Sequence, residues 1–363
     1  MRLLLTGANG VLGSAFVRKL AERRHSDVEL VGVFSSPASY AAFAERLGAE
    51  IAARIRHVVC DLADPCAVET LTYALGRSEG TMVVHAAASV AWNRPLSEMW
   101  RPNVEATRAV ATVARRTSRT ARMIYVSSAY ADNQETDHRN TYEATKTAAE
   151  SALRAEFRDL RPIVFAPSLI VGSSVDGRID AFHGVYPLLE LVADEVPFLV
   201  GSRTARIDIV PVDWVAAELL ALVQAAWAGE QMDDVVASAG QASLALPDLV
   251  ALAVRALNSE RALERHKPVA QTPVLSFRQW RFIKQSLEAW DVTGIDQTQL
   301  ARFERILGIY APYLRNSISR APRNVRATAP CPSSYLARVV RYWWHCHHRH
   351  RGAPTVRRVS VTS

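Results

Sequence analysis

Tyr142 and Lys146 have the spacing at which one side chain can tune the acidity of the other. Residues four apart share one face of a helix, so the Lys146 ammonium would lie near the Tyr142 phenol. A free tyrosine titrates near pH ~10, and a neighbouring cation favours the phenolate and lowers that pKa. The pair therefore predicts a tyrosine that transfers protons. Asn140 and Glu143 resemble a capping box that would begin this helix just before Tyr142.

Three polar residues elsewhere in the sequence could assist such a tyrosine. Ser127 and Ser128 end the apolar run 122–126, where a hydroxyl can stabilise charge on a carbonyl oxygen. Ser128 is the preferred candidate and Ser127 the alternative, while the competing interpretation is a pair of turn serines. Asn103 lies within a helical pattern, where asparagine is unfavourable, so both a structural and a proton-relay role are open.

A glycine-rich turn lies close to the start of the chain, between an apolar run and an amphipathic run. Its glycines suit a tight turn at Gly7, close approach to a pyrophosphate at Gly10 and tight helix packing at Gly13. The helix that follows would direct N–H groups at the phosphates. The spacing G-x-x-G-x-x-G predicts a dinucleotide site formed by Gly7, Asn9, Gly10, Val11, Leu12 and Gly13. A glycine turn without a ligand is the competing interpretation.

Two further strand ends provide candidate cofactor contacts. Asp61 could accept a hydrogen bond from an adenine amino group while Leu62 packs on the ring; capping of the next helix is the alternative for Asp61. His85, Ala86 and Ala87 are candidate cofactor contacts at the end of the fourth predicted strand, where the small residues would allow close approach of the backbone to the nicotinamide-side ribose and phosphate. His85 is favoured as a packed strand-end residue, not an acid or base.

The end of the second predicted strand bears on the choice of dinucleotide. An acidic residue there would bind the ribose hydroxyls of NAD, and an arginine would bind the 2′-phosphate of NADP. Neither is present: the strand ends in Ser35 and Ser36, which could donate to a phosphate. The absence of a carboxylate favours NADP, with NAD the alternative.

Strand and helix patterns alternate along the first two hundred residues, which predicts an α/β fold with a doubly wound parallel Rossmann sheet. The core would span residues 1–170 and be completed by 205–230. Looser segments at 171–204 and 240–315 would form a smaller, discontinuous substrate cap. The predicted strands are Arg2–Thr6, Val28–Phe34, Arg56–Cys60, Met82–His85, Arg122–Ser127, Pro162–Ala166 and Arg206–Val210. The predicted helices are Val11–Arg24, Ser39–Leu47, Ala67–Leu75, Leu96–Arg116, Tyr142–Phe157 and a helix capped by Asp213.

The positive charge is confined to one end of the 363-residue chain. The net charge is +7, yet no Asp or Glu follows Glu304, while eleven arginines lie between Arg305 and Arg358. The basic charge therefore belongs to the tail and does not predict nucleic-acid binding. The four cysteines show no metal or disulfide spacing, and neither a leader nor a membrane span is recognisable, so a cytoplasmic location is expected.

The basic tail, residues 316–363, is expected to be flexible. An amphipathic helix that contacts a membrane surface or a partner through Trp343, Trp344 and their apolar neighbours is the alternative. Alternating histidines at 345–350 are not expected to bind a metal.

Together these residues resemble the extended short-chain dehydrogenase/reductase family. The match includes Thr6–Gly13, Asp61-Leu62, His85–Ala88, the Ser127-Ser128 pair, Tyr142 with Lys146, and Pro167-Ser168, over roughly residues 1–315. Three segments are similar to the thioester reductase and fatty acyl reductase (male sterility-type) branch: Pro167–Gly177, Ile207–Ala216 and Tyr310–Leu314. Ala166 departs from the family, which often has Arg at this place.

The resemblance implies NAD(P)H-dependent reduction of an acyl thioester, or of the derived aldehyde. Tyr142 would then donate the proton, Ser128 would hold the carbonyl oxygen, and Lys146 would tune Tyr142 and hold the ribose. Pro167 and Ser168 would contact the cofactor. The substrate would be a small acyl or carbonyl compound, carried on coenzyme A or a carrier protein. The alternatives are a nucleotide-sugar epimerase or dehydratase, a hydroxysteroid-type dehydrogenase, and a non-catalytic cofactor-bound sensor.

Overall fold

The computed structural model describes residues 2–22, 28–131, 138–289, 297–315 and 320–349. Two compact units are formed by segments that alternate along the chain. Unit 1 comprises Met1–Ser168, Val212–Ser238 and Arg320–Thr328, and unit 2 comprises Leu169–Pro211, Ala239–Ser319 and Ala329–Ser363. No helix of the described residues is both long and apolar enough to cross a bilayer.

Strands and helices alternate over most of the described sequence. The strands are β1 (Arg2–Thr6), β2 (Glu29–Phe34), β3 (Ile55–Val59), β4 (Thr81–His85), β5 (Arg122–Val126), β6 (Ile163–Pro167), β7 (Leu169–Val171), β8 (Leu199–Val200), β9 (Arg206–Ile207), β10 (Ile209–Pro211), β11 (Val235–Ala237), β12 (Leu244–Ala245) and β13 (Val274–Leu275). The helices are α1 (Val11–Glu22), α2 (Pro37–Leu47), α3 (Ala49–Ala52), α4 (Ala67–Leu75), α5 (Leu96–Trp100), α6 (Ala106–Thr117), α7 (Thr141–Glu156), α8 (Tyr186–Ala193), α9 (Val212–Trp227), α10 (Leu246–Leu263), α11 (Phe277–Ala289), α12 (Gln297–Arg315) and α13 (Pro332–Arg349).

Unit 1 is built on a seven-stranded parallel sheet, as the alternating pattern predicts. The strand order is β3-β2-β1-β4-β5-β6-β11. The strand β1 is apolar at Leu3, Leu4 and Leu5, which are fully buried, because a parallel sheet is covered on both faces. The order reverses between β1 and β4, and ligands of such sheets bind beyond the carboxyl ends of the strands at that point. Thr6 and His85 end these two strands in register with each other.

The single helix predicted over Leu96–Arg116 is interrupted. Its first part, α5, ends at Trp100, and a π-helical turn at Arg101–Glu105 leads into α6. Pro102 lacks an N–H group and its ring crowds the preceding turn, so the regular hydrogen-bond pattern cannot continue through it. Such π-helical turns are frequent at functional sites, and this one carries Asn103.

Unit 2 holds most of the segments in which the sequence pattern is looser. The strand predicted over Arg206–Val210 is split into β9, which pairs with β12, and β10, which pairs with β7. These strands therefore lie in unit 2, and not in the core segment 205–230 to which the prediction assigned them. The helix α9 begins at Val212, one residue before the predicted cap Asp213.

The basic tail was predicted to be flexible, and this is wrong for residues 332–349. They form α13, which packs on α10 within unit 2. The buried face of α13 consists of Tyr335, Leu336, Val339, Val340, Trp343 and Trp344. These positions repeat with the period of a helix, so folding against α10 removes a continuous apolar stripe from water. The residues beyond 349 lie outside the described part of the chain.

The segment before α13 belongs to unit 1. Arg323 forms an antiparallel bridge with Val236 of β11, with N–H···O distances of 3.0 and 3.2 Å. The Glu218 carboxylate of α9 accepts hydrogen bonds from the N–H groups of Arg326 (2.7 Å) and Ala327 (3.0 Å). Residues 320–328 thus cover an edge of the sheet that would otherwise present unpaired backbone groups.

Candidate functional site

The glycine turn has the backbone geometry that its spacing predicts. Gly7 has a φ of +74°, and a side chain there would lie 2.6 Å from the backbone of Ala86 and Ala87. At Gly13 a Cβ would lie 2.1 Å from the Gly7 carbonyl oxygen. Gly7 is therefore needed for the turn, and Gly13 for packing α1 against it. Gly10 donates to the Gly7 carbonyl at 2.9 Å, which closes the turn just before α1 begins at Val11.

The ends of β1 and β4 are tied together by a chain of buried hydrogen bonds. The Thr6 hydroxyl is 2.6 Å from His85 Nδ1, and the Thr107 hydroxyl is 3.0 Å from His85 Nε2. Burial lowers the pKa of His85 to about 3, with a further contribution from the positive charge of Lys146. His85 is therefore a neutral, packed strand-end residue, as favoured from the sequence.

Asn103 connects the buried hydrogen bonds around His85 to the helix that carries Tyr142, because its carbonyl accepts from the Thr107 hydroxyl. Its amide oxygen accepts from the N–H of Ser89 (2.7 Å), and its amide nitrogen donates to the Ser89 carbonyl (3.1 Å) and the Thr145 hydroxyl (2.9 Å). Thr145 in turn donates to the Tyr142 carbonyl at 3.0 Å. Of the two roles left open for Asn103, these contacts support the structural one.

Tyr142 and Lys146 lie on one face of α7, as their spacing predicts. Lys146 Nζ lies 5.8 Å from the centre of the Tyr142 ring and 4.7 Å from that of Tyr125. It donates to the Val126 carbonyl at 2.7 Å. Burial lowers the pKa of Lys146 to about 7, and the Glu150 carboxylate acts in the opposite direction.

The pKa of Tyr142 differs in direction from the sequence prediction. Burial raises it above the usual tyrosine value, and the negative charge of Glu143 raises it further. The cation of Lys146 was expected to lower it. Burial dominates because moving a phenolate out of water is costly. The phenol of Tyr142 is therefore protonated at neutral pH, which suits a proton donor.

The two serines at the end of β5 have different surroundings. Ser127 is buried and its hydroxyl donates to the Glu150 carboxylate of α7. Ser128 is partly exposed, and its oxygen accepts from the N–H of Tyr130 at 3.2 Å. Since Ser127 is engaged inside the protein, Ser128 is the better placed to meet a substrate.

A buried ion pair precedes Tyr142. Arg139 Nε lies 2.9 Å from the Glu143 carboxylate, and both side chains are almost fully buried. The guanidinium also donates to the Tyr130 carbonyl and lies 5.3 Å from the centre of the Tyr130 ring. The pair neutralises Glu143 and fixes the chain where α7 begins. From the sequence, Glu143 was predicted only as part of a helix cap.

Candidate contacts for the adenosine lie at the ends of β2 and β3. Asp61 is exposed and accepts from the N–H of Ala63 at 2.9 Å, so it does not cap α4. Leu62 packs against the core. Ser35 is exposed, whereas Ser36 caps α2 by accepting from the N–H of Ser39 at 3.1 Å.

Arg46 was missed by sequence analysis because it lies in α2, eleven residues after Ser35. Its guanidinium donates to the Asn9 carbonyl at 3.0 Å and to the Asn9 side chain. The Asn9 amide nitrogen in turn donates to the Ser39 hydroxyl at 3.0 Å. The α2 helix therefore brings a cation to the glycine turn, where the local sequence pattern shows none.

Pro167 and Ser168 end β6 within unit 1. The Pro167 carbonyl accepts from the N–H of Ala129 and the Ser168 N–H donates to the Ala237 carbonyl, both at 2.9 Å. Ser168 is buried. Ala166, where relatives often have Arg, is buried among Ala129, Val164 and Val236, so this position contributes to the core.

The residues around the glycine turn fit a dinucleotide. The glycines permit a close approach of the loops, and α1 has no acidic residue in its first turn that would compete with a phosphate for the helix dipole. A cation, Arg46, and the small residues Ala86 and Ala87 complete the surroundings. The described residues contain no cluster of side chains that could hold a metal ion. A cavity of about 920 Å³ in unit 2 is lined by none of the predicted site residues.

A family model described as male sterility protein matches residues 5–139 and 131–219. The chain belongs to the male sterility protein family. Members of this family bind NAD(P), and the chain is an NAD(P)-dependent oxidoreductase of the extended short-chain type. The comparison with curated proteins found no match.

Solved structures share the fold of this male sterility family protein at low sequence identity. The terminal R domain from the myxalamid PKS-NRPS biosynthetic pathway has a TM-score of 0.70 at 18% identity, covering 95% of this chain and 91% of that one. A thiolation-reductase di-domain from an archaeal non-ribosomal peptide synthetase has a TM-score of 0.63 at 15% identity, covering 96% and 76%. The UDP-glucuronic acid 4-epimerase from Bacillus cereus, in complex with NAD, has a TM-score of 0.52 at 14% identity, covering 76% and 89%.

Proposed function

We propose that the chain reduces an acyl thioester with NADPH, giving the aldehyde or, after a second reduction, the alcohol. The observation that carries the proposal is the position of Tyr142 beside Lys146, on a face of α7 that meets the end of β5 at Ser127. A phenol that holds its proton at neutral pH suits the donor in a reduction more than the base in an oxidation. One structural neighbour is named as a thiolation-reductase di-domain, and another as a terminal R domain of a PKS-NRPS pathway.

Each residue of the set has a distinct role in the proposal. When bound, the reduced nicotinamide supplies a hydride to the carbonyl carbon. The Ser128 hydroxyl donates a hydrogen bond to the carbonyl oxygen as negative charge develops on it. The Tyr142 phenol then gives its proton to that oxygen, which yields a thiohemiacetal, and the positive charge of Lys146 stabilises the resulting phenolate. The C–S bond of the thiohemiacetal then breaks: the hydroxyl loses its proton as the carbonyl re-forms, the sulfur leaves as the protonated thiol, and the aldehyde is released. Lys146 also holds the ribose hydroxyls.

Cofactor contacts are proposed for the glycine turn and the neighbouring strand ends. The backbone of Gly7, Asn9, Gly10, Val11, Leu12 and Gly13 would hold the pyrophosphate, Asp61 and Leu62 the adenine, and Ala86, Ala87, Pro167 and Ser168 the nicotinamide half. NADPH is favoured over NADH because Arg46 supplies a cation beside Asn9 and Ser39. The acyl group would be carried on coenzyme A or on a carrier protein.

The proposal is tested by following cofactor oxidation against a panel of acyl thioesters and aldehydes, with NADPH and NADH in parallel. Tyr142→Phe should lower turnover by roughly 10²-fold or more while NADPH binding is kept, since only the proton donor is lost. Lys146→Ala should weaken both NADPH binding and turnover. Normal turnover in Tyr142→Phe contradicts the mechanism.

Two other outcomes would replace the proposal. A tightly retained NAD with no net oxidation would indicate a nucleotide-sugar epimerase. Binding of NADPH without oxidation by any thioester, ketone or aldehyde would indicate a cofactor-bound sensor.

A further inference from the structure

We propose that Glu150 acts on the reaction through Lys146: its carboxylate, oriented by the Ser127 hydroxyl, is the counter-charge that keeps the buried Lys146 in its ammonium form. Glu150 would be a positioning residue, without contact to substrate or cofactor. The inference rests on the proposed role of Lys146 in holding the cofactor.

Lys146 and Glu150 are both held between α7 and the end of β5. Tyr142, Lys146 and Glu150 follow one another at intervals of four along α7 and therefore share a face. Consecutive residues at the end of β5 receive the last two: the Val126 carbonyl accepts from Lys146 Nζ at 2.7 Å, and the Ser127 hydroxyl donates to Glu150 Oε1.

The buried Glu150 carboxylate must be stabilised by its surroundings. Glu150 is 1% exposed and Ser127 is 3% exposed. A buried carboxylate is costly unless it is hydrogen-bonded and paired with a cation. The Ser127 hydrogen bond favours the ionised form of Glu150, and Lys146 lies one helical turn away.

Among the residues that the structure describes, the other titratable groups beside Lys146 do not supply a counter-charge. Burial lowers the pKa of Lys146 to about 7, and the Glu150 charge raises it. From the neighbouring strands, the Tyr125 phenol has a raised pKa and His85 is neutral at pH 7. On α7 itself, Tyr142 is protonated and Glu143 is paired with Arg139. Without Glu150, the pKa of Lys146 would fall further and the ammonium form would be lost at lower pH.

The test is the pH dependence of NADPH binding to the full chain, measured by cofactor fluorescence, with the kcat/KM profile alongside. In the wild type, NADPH binding should weaken as pH rises through the pKa of Lys146, because the ammonium donor is lost. This fall in affinity with rising pH is the alkaline limb of the binding profile. Glu150→Gln keeps the shape of the side chain and should move this limb to lower pH by about one unit. Ser127→Ala should move it in the same direction by less, and Glu150→Asp should restore part of the shift.

Glu218→Gln is the matched control, because Glu218 is also buried in unit 1 but bonds to the backbone of Arg326 and Ala327. It should leave the limb in place. An unmoved limb in Glu150→Gln, or an equal shift in Glu218→Gln, overturns the inference. If Glu150→Gln does not fold, the limb must still shift in Ser127→Ala, and an unmoved limb there is equally decisive. Failure of the wild type to bind NADPH would instead overturn the proposed function.

Discussion

The Tyr142 side chain sits between two opposing influences, and their balance bears on the direction of the reaction. Burial and the Glu143 charge raise its pKa, while the nearby Lys146 is the group that would stabilise the phenolate. A phenol that stays protonated until its proton is taken by a developing alkoxide is matched to reduction. The sequence indicated both residues, but not the sign of the shift, because that depends on how much water the folded site excludes.

Arg46→Ala should distinguish the two dinucleotides. Loss of a charge-assisted hydrogen bond to the 2′-phosphate should raise the Kd for NADPH by about 10-fold or more, since such bonds contribute about 1.5–3 kcal/mol. The Kd for NADH should change much less. Isothermal titration with both cofactors measures this.

Arg54→Ala is the control for that experiment, because Arg54 also lies in unit 1 but donates to the Ala21 carbonyl at 3.3 Å. It should leave both affinities unchanged. Equal losses for NADPH and NADH in Arg46→Ala would assign Arg46 to support of Asn9 and not to the phosphate.

Lys146 should also leave a signature in the pH dependence of stability. Its pKa is near 10.5 in the unfolded chain and about 7 in the folded one, so between these values the unfolded state binds more protons. Stability contributed by this group therefore rises with pH over that window, by up to about 1.4 kcal/mol per pH unit. The free energy of unfolding of the wild type relative to Lys146→Met should increase from pH 7 to 10.5 in urea titrations. A flat difference would show that Lys146 titrates normally.

Among the elements, α7 brings the largest number of site residues into place. Its start was predicted from the sequence: Asn140 accepts from the Glu143 N–H at 2.9 Å and caps the helix. The Glu143 carboxylate also pairs with Arg139. The cap is a local signal and was therefore predictable. The ion pair depends on where Tyr130 lies in the fold, so the pattern did not indicate it.

The strands and helices of unit 1 were predictable for a similar reason. The bounds of β1 and α4 agree with the prediction at both ends, since each is a short apolar or amphipathic run between turn residues. The break at Pro102 was not predicted, because the apolar period continues across it. Arg46 was not predicted either, since it reaches Asn9 only after β2 and α2 have packed.

Alanine substitution at two glycines of unit 2 should change the stability of that unit in opposite directions. Gly177 has a φ of +76°, and a Cβ there would lie 2.1 Å from the Arg338 carbonyl oxygen of α13. Gly308 lies in α12 with no heavy atom within 4 Å of the added carbon. Gly177→Ala should destabilise unit 2 by at least about 1–3 kcal/mol, and Gly308→Ala should stabilise it by about 0.5–1 kcal/mol. Urea unfolding followed by tryptophan fluorescence measures both, and similar midpoints for the two variants would contradict the contact with α13.

On the scale of the whole molecule, the chain alternates between its two units up to its last described helix. Residues 320–328 return to the sheet of unit 1, and α13 then packs on α10 of unit 2. The sequence indicated neither contact, because the basic composition of this region is typical of a solvated tail. The apolar stripe of α13 was visible, but its partner lies some eighty residues earlier in the chain.

Since that stripe is buried, it is not free to contact a membrane, and its removal should expose α10. A chain ending at residue 328 keeps the edge segment of unit 1 but leaves α10 without the helix that packs on it. We expect this chain to bind a hydrophobic dye and to unfold at a lower urea concentration, because a large apolar area returns to water. A chain ending at residue 349 keeps α13 and is the matched control, expected to unfold like the full chain.

Trp343→Ala should lower the free energy of unfolding by roughly 3–5 kcal/mol, a smaller loss than removal of α13. Equal stability of the chains ending at 328 and 349 would show that α13 adds nothing to unit 2, and vesicle binding by the chain ending at 349 would show that its stripe is accessible after all.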